Sequence, residues 1–139
     1  MSFREKSAWV TLIAIVLVSA MYVFHIPQLY VPHSRWVLKS LAASLGAFLL
    51  IELVAYAVLR VRNPTEARTP KDELEKLIDL KALRIAAYVY IIGSFVAIFV
   101  TLHVVGSSAG MVAVAVLLAF VVAEMVNYTA RIVYYRRIS

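Results

Sequence analysis

The sequence predicts an all-α, polytopic membrane protein: four transmembrane helices in one domain, built as two tandem parallel hairpin repeats. Three observations carry this. Hydrophobic residues make up 63% of the 139 residues, against roughly 45–50% in soluble proteins. Four apolar runs each approach the roughly 20 residues needed to cross the hydrocarbon core of a bilayer. The basic residues gather on one side of that alternating layout. A soluble fold of this size cannot bury so much apolar surface, so lipid is expected to cover the remainder. Cysteine is absent, which excludes disulfides, thiolate chemistry and cysteine metal sites.

The first span is expected over residues 8–26, closed by Pro27. A long apolar run follows the charged start, with no small-residue cleavage signal near its end, so the first helix reads as retained rather than removed. The second span runs over about 36–59, with Lys39 at its mouth, the third over 86–105 and the fourth over 111–134. Between the third and fourth lies the flexible, uncharged stretch 106–110. Arg4 and Lys6 precede the first span. Arg60, Arg62, Arg68, Lys71, Lys76, Lys81 and Arg84 separate the second from the third, and Arg131, Arg136 and Arg137 close the fourth. Only Arg35 and Lys39 fall on the other side. The positive-inside rule therefore predicts cytoplasmic N- and C-termini. Tyr22, Tyr30 and Trp36 fit an outer aromatic belt, and Tyr128, Tyr134 and Tyr135 an inner one. Orientation already accounts for the net charge of +6, so direct nucleic-acid binding is not expected.

The second and fourth spans match one another. Ala47, Phe48, Glu52, Val54 and Tyr56 recur at one constant offset as Ala119, Phe120, Glu124, Val126 and Tyr128, and an arginine follows each block. The first and third spans match more weakly: Ala8-Trp9-Val10 resembles Ala87-Tyr88-Val89, and His25 falls where His103 does. A duplicated hairpin entering twice from the cytoplasm is a parallel repeat about an axis along the membrane normal. Chance similarity between apolar helices is the rival reading.

Glu52 and Glu124 are the candidate site. Each lies about two turns from the cytoplasmic end of its helix, roughly 10–12 Å in. A carboxylate there is costly unless it faces the bundle or finds a partner. Tyr56 and Tyr128 sit four residues on, hence on the same face, and Asn127 adds a donor three residues after Glu124. One reading is a proton- or cation-binding pair. The other is interhelical hydrogen bonding, worth about 1 kcal/mol per contact; the absence of proline or broken helices within the spans favours it. His25 and His103 lie near the outer ends of their helices and can ligate a metal or haem in principle. No carboxylate or cysteine completes such a site, so interfacial histidine is the expectation, with no metal and no cofactor.

The loop 60–85 is the sizeable soluble segment. Asn63-Pro64 is expected to stop the second helix. An amphipathic helix is expected from about Thr69, with Thr69 as N-cap, Pro70 in the first helical position and Asp72 and Glu73 at the positive end of the dipole. No proline or glycine intervenes before Gly93, so it should continue into the third span as one rod. Leu74, Leu77, Ile78 and Ile85 fall along one face. Leu74, Leu77 and Ile78 with Asp72, Glu73 and Asp79 form a candidate docking surface for a cytoplasmic protein; a lead-in helix lying against lipid headgroups is the alternative.

The stretch 72–84, Asp-Glu-Leu-Glu-Lys-Leu-Ile-Asp-Leu-Lys-Ala-Leu-Arg, resembles the acidic-leucine segment of small, uncharacterised bacterial four-helix membrane proteins grouped as a domain of unknown function. The resemblance implies a bacterial inner-membrane address and no catalytic residue. It also implies partnership, for some members, with small helix-turn-helix regulators. Enzyme signatures are missing from the sequence: no Gly-rich phosphate loop, no metal-binding helix motif, no nucleophile with a base at helical spacing. The expectation is a non-enzymatic membrane module, embedded in lipid, that self-associates or binds a protein partner. The alternative is a small ion- or proton-coupled transporter or channel using Glu52 and Glu124.

Overall fold

The computed structural model describes residues 3–29, 34–65, 70–105 and 109–138. Within them the chain is helical almost throughout: α1 (Phe3–Leu29), α2 (Ser34–Arg62), α3 (Glu73–Val100) with a π-helical turn (Thr101–Val105), and α4 (Ala109–Ile138). All four are long and apolar enough to cross a membrane. They form two compact units, Met1–Pro70 and Lys71–Ser139.

In the first unit α1 packs on α2 as a hairpin. Phe3 meets Tyr56 edge-on, with ring centroids 6.2 Å apart, and Lys6 Nζ donates to Asn63 Oδ1 at 3.4 Å. These contacts set the beginning of α1 beside the end of α2. On α2 the shielded side chains are Ser44, Phe48, Glu52, Ala55, Leu59 and Asn63, at intervals of three and four residues, the spacing of one helix face. Asn63 ends α2: its backbone N–H and its side-chain amide both donate to the Leu59 carbonyl, and Pro64 has no N–H with which to continue. At the other end of the hairpin, α1 does not stop before Pro27 but continues through it to Leu29. A proline in the final turn removes one backbone bond from a helix that has only two residues left.

In the second unit α3 and α4 pack along much of their length. The buried positions of α3 are Ile78, Ala82 and Ala86, and those of α4 include Ala123 and Asn127. Small residues at spacing four let two helix backbones approach closely. The approach is closest at Gly93, where an added Cβ would stand 3.3 Å from the Ala119 Cβ. Tyr90 and Phe120 meet edge-on one turn below.

The start of α3 corrects the expected cap. Pro70 and Lys71 are not helical, and the N-cap is Asp72; Thr69 lies outside the described residues. The Asp72 carboxylate accepts from the Leu74 N–H at 2.6 Å, and the Glu75 carboxylate accepts from the Asp72 N–H at 3.2 Å. This reciprocal box satisfies two donors that the first turn leaves open. Glu75 closes a box only with the residue three before it, so the cap falls at Asp72. From Glu73 the helix runs unbroken to Val100. There Thr101 turns its hydroxyl back onto the Ala97 and Ile98 carbonyls, at 2.6 and 3.1 Å. Such back-bonding competes with the regular ladder, and the backbone widens into the π turn.

Candidate functional site

The two glutamates sit in different surroundings. Glu124 belongs to a chain of polar contacts. Its Oε2 accepts from Asn127 Nδ2 at 3.3 Å, and Asn127 Oδ1 accepts from Arg131 Nε at 3.2 Å. The Arg131 guanidinium pairs with Asp79 Oδ1 across the helix pair at 3.5 Å, and Asp79 Oδ2 takes Lys71 as a second cation. Charges alternate along this chain, acid to base to acid to base, so the cluster adds no net charge where it is partly shielded from water. Asn127 is the pivot. It is only 3% exposed, and it spends its amide on Glu124 and its carbonyl on Arg131, so neither polar end is left unmade. Arg131 also covers the Tyr128 ring, 5.1 Å from its centroid, a cation–π placement.

Glu52 lies on the face of α2 that carries its shielded side chains, yet its Oε1 is buried with no hydrogen-bond partner among the described residues. Tyr56, expected to donate to it, instead points its ring at Phe3 and is half exposed. Ala55 occupies the place that Asn127 holds in the other hairpin, so the amide that serves Glu124 has no counterpart. Arg60 is exposed at the end of α2.

Helix register fixes how deep these acids stand. The pairs Gly93–Ala119, Tyr90–Phe120 and Asp79–Arg131 place Glu124 at the level of Ala86, at the start of the uncharged run of α3. In the first hairpin Glu52 stands one turn before Tyr56 on α2, and so one turn deeper than the Phe3–Tyr56 contact. Counted along its own helix, Glu124 lies about four turns before the end at Ile138. Counted from α3, it stands at the charged edge of the apolar run.

The docking candidates divide. Ile78 is buried in the α3 stripe and Asp79 is held between Lys71 and Arg131, so neither belongs to a free surface. Asp72 and Glu75 are occupied by the capping box, and Glu73 forms an exposed pair with Lys76 at 3.3 Å. Leu74 and Leu77 remain about half exposed, joined by Leu80 and Leu83. Sequence reasoning grouped Ile78 with the exposed leucines, because periodicity marks an apolar face without saying which part α4 covers. It overlooked Leu80 and Leu83 for the same reason.

At the far end of α3, His103 stacks on Phe99 with ring centroids 4.3 Å apart. Its Nδ1 is 3.1 Å from the Phe99 carbonyl oxygen. A carbonyl only accepts, so this contact is a hydrogen bond when Nδ1 carries a proton. The side chains of His25 and His33 lie outside the described residues. Among the described residues, no group of three histidine or carboxylate side chains is placed to hold a metal.

No protein-family model matches the chain, and neither does any curated protein or solved structure.

Proposed function

We propose that the chain is a non-enzymatic module of the bacterial inner membrane, crossing it four times with both termini cytoplasmic, and that it self-associates or binds a protein partner through the cytoplasmic start of α3. Four helices of sufficient length and apolarity support the membrane reading, and the gathering of basic residues before the first span, between the second and third and after the fourth supports the orientation. The division into two helical hairpins at Pro70 and Lys71 supports the tandem repeat.

One observation carries the docking reading. Leu74, Leu77, Leu80 and Leu83 are exposed on a helix that is capped at Asp72 and tied to α4 through Asp79 and Arg131. A free lead-in helix could fold its leucines onto lipid; a capped and clamped one holds them in fixed directions, which lowers the entropy cost of binding. The test is a photo-crosslinking residue placed at Leu77 in intact membranes, with Ile92 as the comparison, since Ile92 is exposed in the middle of the apolar run. A discrete protein adduct, to a second copy or to another chain, is expected at position 77 and not at 92. Equal labelling of lipid at both positions defeats the proposal.

A second reading, a small ion- or proton-coupled transporter or channel, is favoured by the buried Glu52 Oε1 without a partner. Proteoliposome flux separates the two. The module predicts no flux of protons or monovalent cations. Robust flux that vanishes in Glu52→Gln with Glu124→Gln establishes the transporter.

A further inference from the structure

The α3–α4 hairpin has two unlike flanks. Asp79 meets Arg131, and Tyr90 meets Phe120, on one of them. At about 100° per residue, Leu80, Leu83 and Ala87 fall on this flank of α3. They are exposed, Leu80 by 65% and Leu83 by 52%. The opposite flank is formed by α4. It holds an open apolar groove of about 320 Å³, lined by Val122, Met125, Val126, Thr129 and Ala130. The Thr129 hydroxyl already donates to the Met125 carbonyl at 2.7 Å, so the groove offers no free polar group. The two cross-hairpin pairs set Leu80 level with Ala130 and Leu83 level with Asn127. Leucines and groove therefore stand at one depth but on opposite flanks, and they cannot meet within one hairpin.

Depth limits what can cover them. The uncharged run of α3 begins at Ile85. Counted from there at 1.5 Å per residue, Leu83 stands about 3 Å and Leu80 about 7 Å outside the hydrocarbon. The headgroup layer on each side of the bilayer is about 5–7 Å deep. Acyl chains reach neither the leucines nor the part of the groove level with them, and polar headgroups do not match an apolar surface. Protein does.

We propose that copies of this chain associate side by side, with Leu80 and Leu83 of one copy seated in the α4 groove of the next. Leucines and groove lie at one depth on every chain, so two copies with the same orientation in one membrane meet in register. α3 and α4 run in opposite directions, so the contact between copies repeats the antiparallel pairing inside the hairpin. The charges beyond the apolar contact agree. Glu73, paired with Lys76, keeps its side chain 96% exposed on the side of α3 that carries Leu80. Arg137 is level with it and exposed, eleven residues beyond Val126 and hence on the groove side of α4. An acid of one copy thus meets an arginine of the next. A twofold pair through the same face of α3 would set Glu73 against Glu73 and Lys76 against Lys76. Because the two surfaces differ, the contact is head-to-tail, and it closes as a ring or extends as a row. The inference rests on the membrane and self-association readings above and assigns the surfaces that the latter leaves open.

The chain has no cysteine, so single substitutions report the contact. Full-length Leu83→Cys and Val126→Cys variants with different tags are co-expressed and oxidised with copper phenanthroline in isolated membranes. A disulfide-linked dimer carrying both tags is expected. Ile92→Cys with Val126→Cys should give none, since Ile92 is exposed at another depth. Dimers of Leu83→Cys with itself in place of the mixed dimer mean a twofold pair and overturn the proposal, as does the absence of the mixed dimer. In the cysteine-free chain, Leu80→Ser with Leu83→Ser should weaken self-association in micelles at least about tenfold by analytical ultracentrifugation, because burying even one leucine is worth that factor. Val126→Trp, which fills the groove and keeps both leucines, should weaken it as well. Unchanged association in these variants, with helical content intact by circular dichroism, also overturns the contact. The Leu77 crosslink is read separately: an adduct there to another protein, without the mixed dimer, keeps the docking reading and removes this one.

Discussion

Glu124 and Glu52 show how the same residue type at matching positions of two helices acquires different duties. Glu124 has an amide one turn away, and that amide reaches an arginine that is itself neutralised by Asp79. Glu52 has alanine in the corresponding place and a tyrosine turned toward Phe3. Removing the pivot should therefore cost more than modifying the carboxylate that has no partner. Asn127→Ala is expected to destabilise the protein by about 1 kcal/mol, the usual scale of a polar contact between membrane helices. Glu52→Gln should stay well below that, since it breaks no hydrogen bond in the hairpin. Thermal unfolding in detergent micelles measures both, and a larger loss for Glu52→Gln contradicts the assignment of duties.

At the scale of elements, the helix pairs are held by close approach and the helix ends by side-chain caps. Gly93 has almost no room: a Cβ there meets Ala119 at 3.3 Å, whereas a Cβ at Gly46 meets nothing within 4 Å. Gly93→Leu should pry α3 from α4 and cost about 1–3 kcal/mol by overpacking; Gly46→Leu should leave the α1–α2 hairpin unchanged. Chemical denaturation of the two variants side by side gives the comparison, and equal effects would refute the packing scheme. Asp72→Ala removes the cap of α3 and should cost about 1 kcal/mol. Because the helix runs from Glu73 to Val100 without a break, the loss should appear as faster amide exchange confined to the first turn. Exchange that spreads beyond Asp79 would mean that the Arg131 clamp does not hold the lead-in helix.

For the whole molecule, the expectations are topological. Reporter fusions at position 68 and at the C-terminus should both read cytoplasmic, and one at position 107 external. An external signal at 68 reverses the orientation. The tandem repeat predicts that residues 8–59 superpose on 87–133 by rotation about an axis near the membrane normal in an experimental structure. An axis in the membrane plane removes the duplication. The two hairpins need not share function for this to hold. The α3–α4 hairpin carries the polar chain from Glu124 to Lys71, while α2 has the matching Glu52 and Tyr56 with Ala55 in the place of Asn127.

Sequence alone determined the four helices, because twenty apolar residues in a row leave the backbone no other way to satisfy its own polar groups away from water. It also determined where α2 ends, since Asn63-Pro64 is a local signal, and that Asn127 can reach Glu124, since three residues are less than one helical turn. The cap at Asp72 was legible in principle as an acid three residues before a glutamate. Only the tertiary structure decided the rest. The Asp79–Arg131 pair, the burial of Ile78 among exposed leucines, and the level of Glu124 beside Ala86 all depend on the register between helices far apart in the chain. Periodicity fixes which residues share a face of one helix. It carries no information about how far that helix slides along its neighbour, and that distance is set by the fit of Gly93 against Ala119 and of Tyr90 against Phe120.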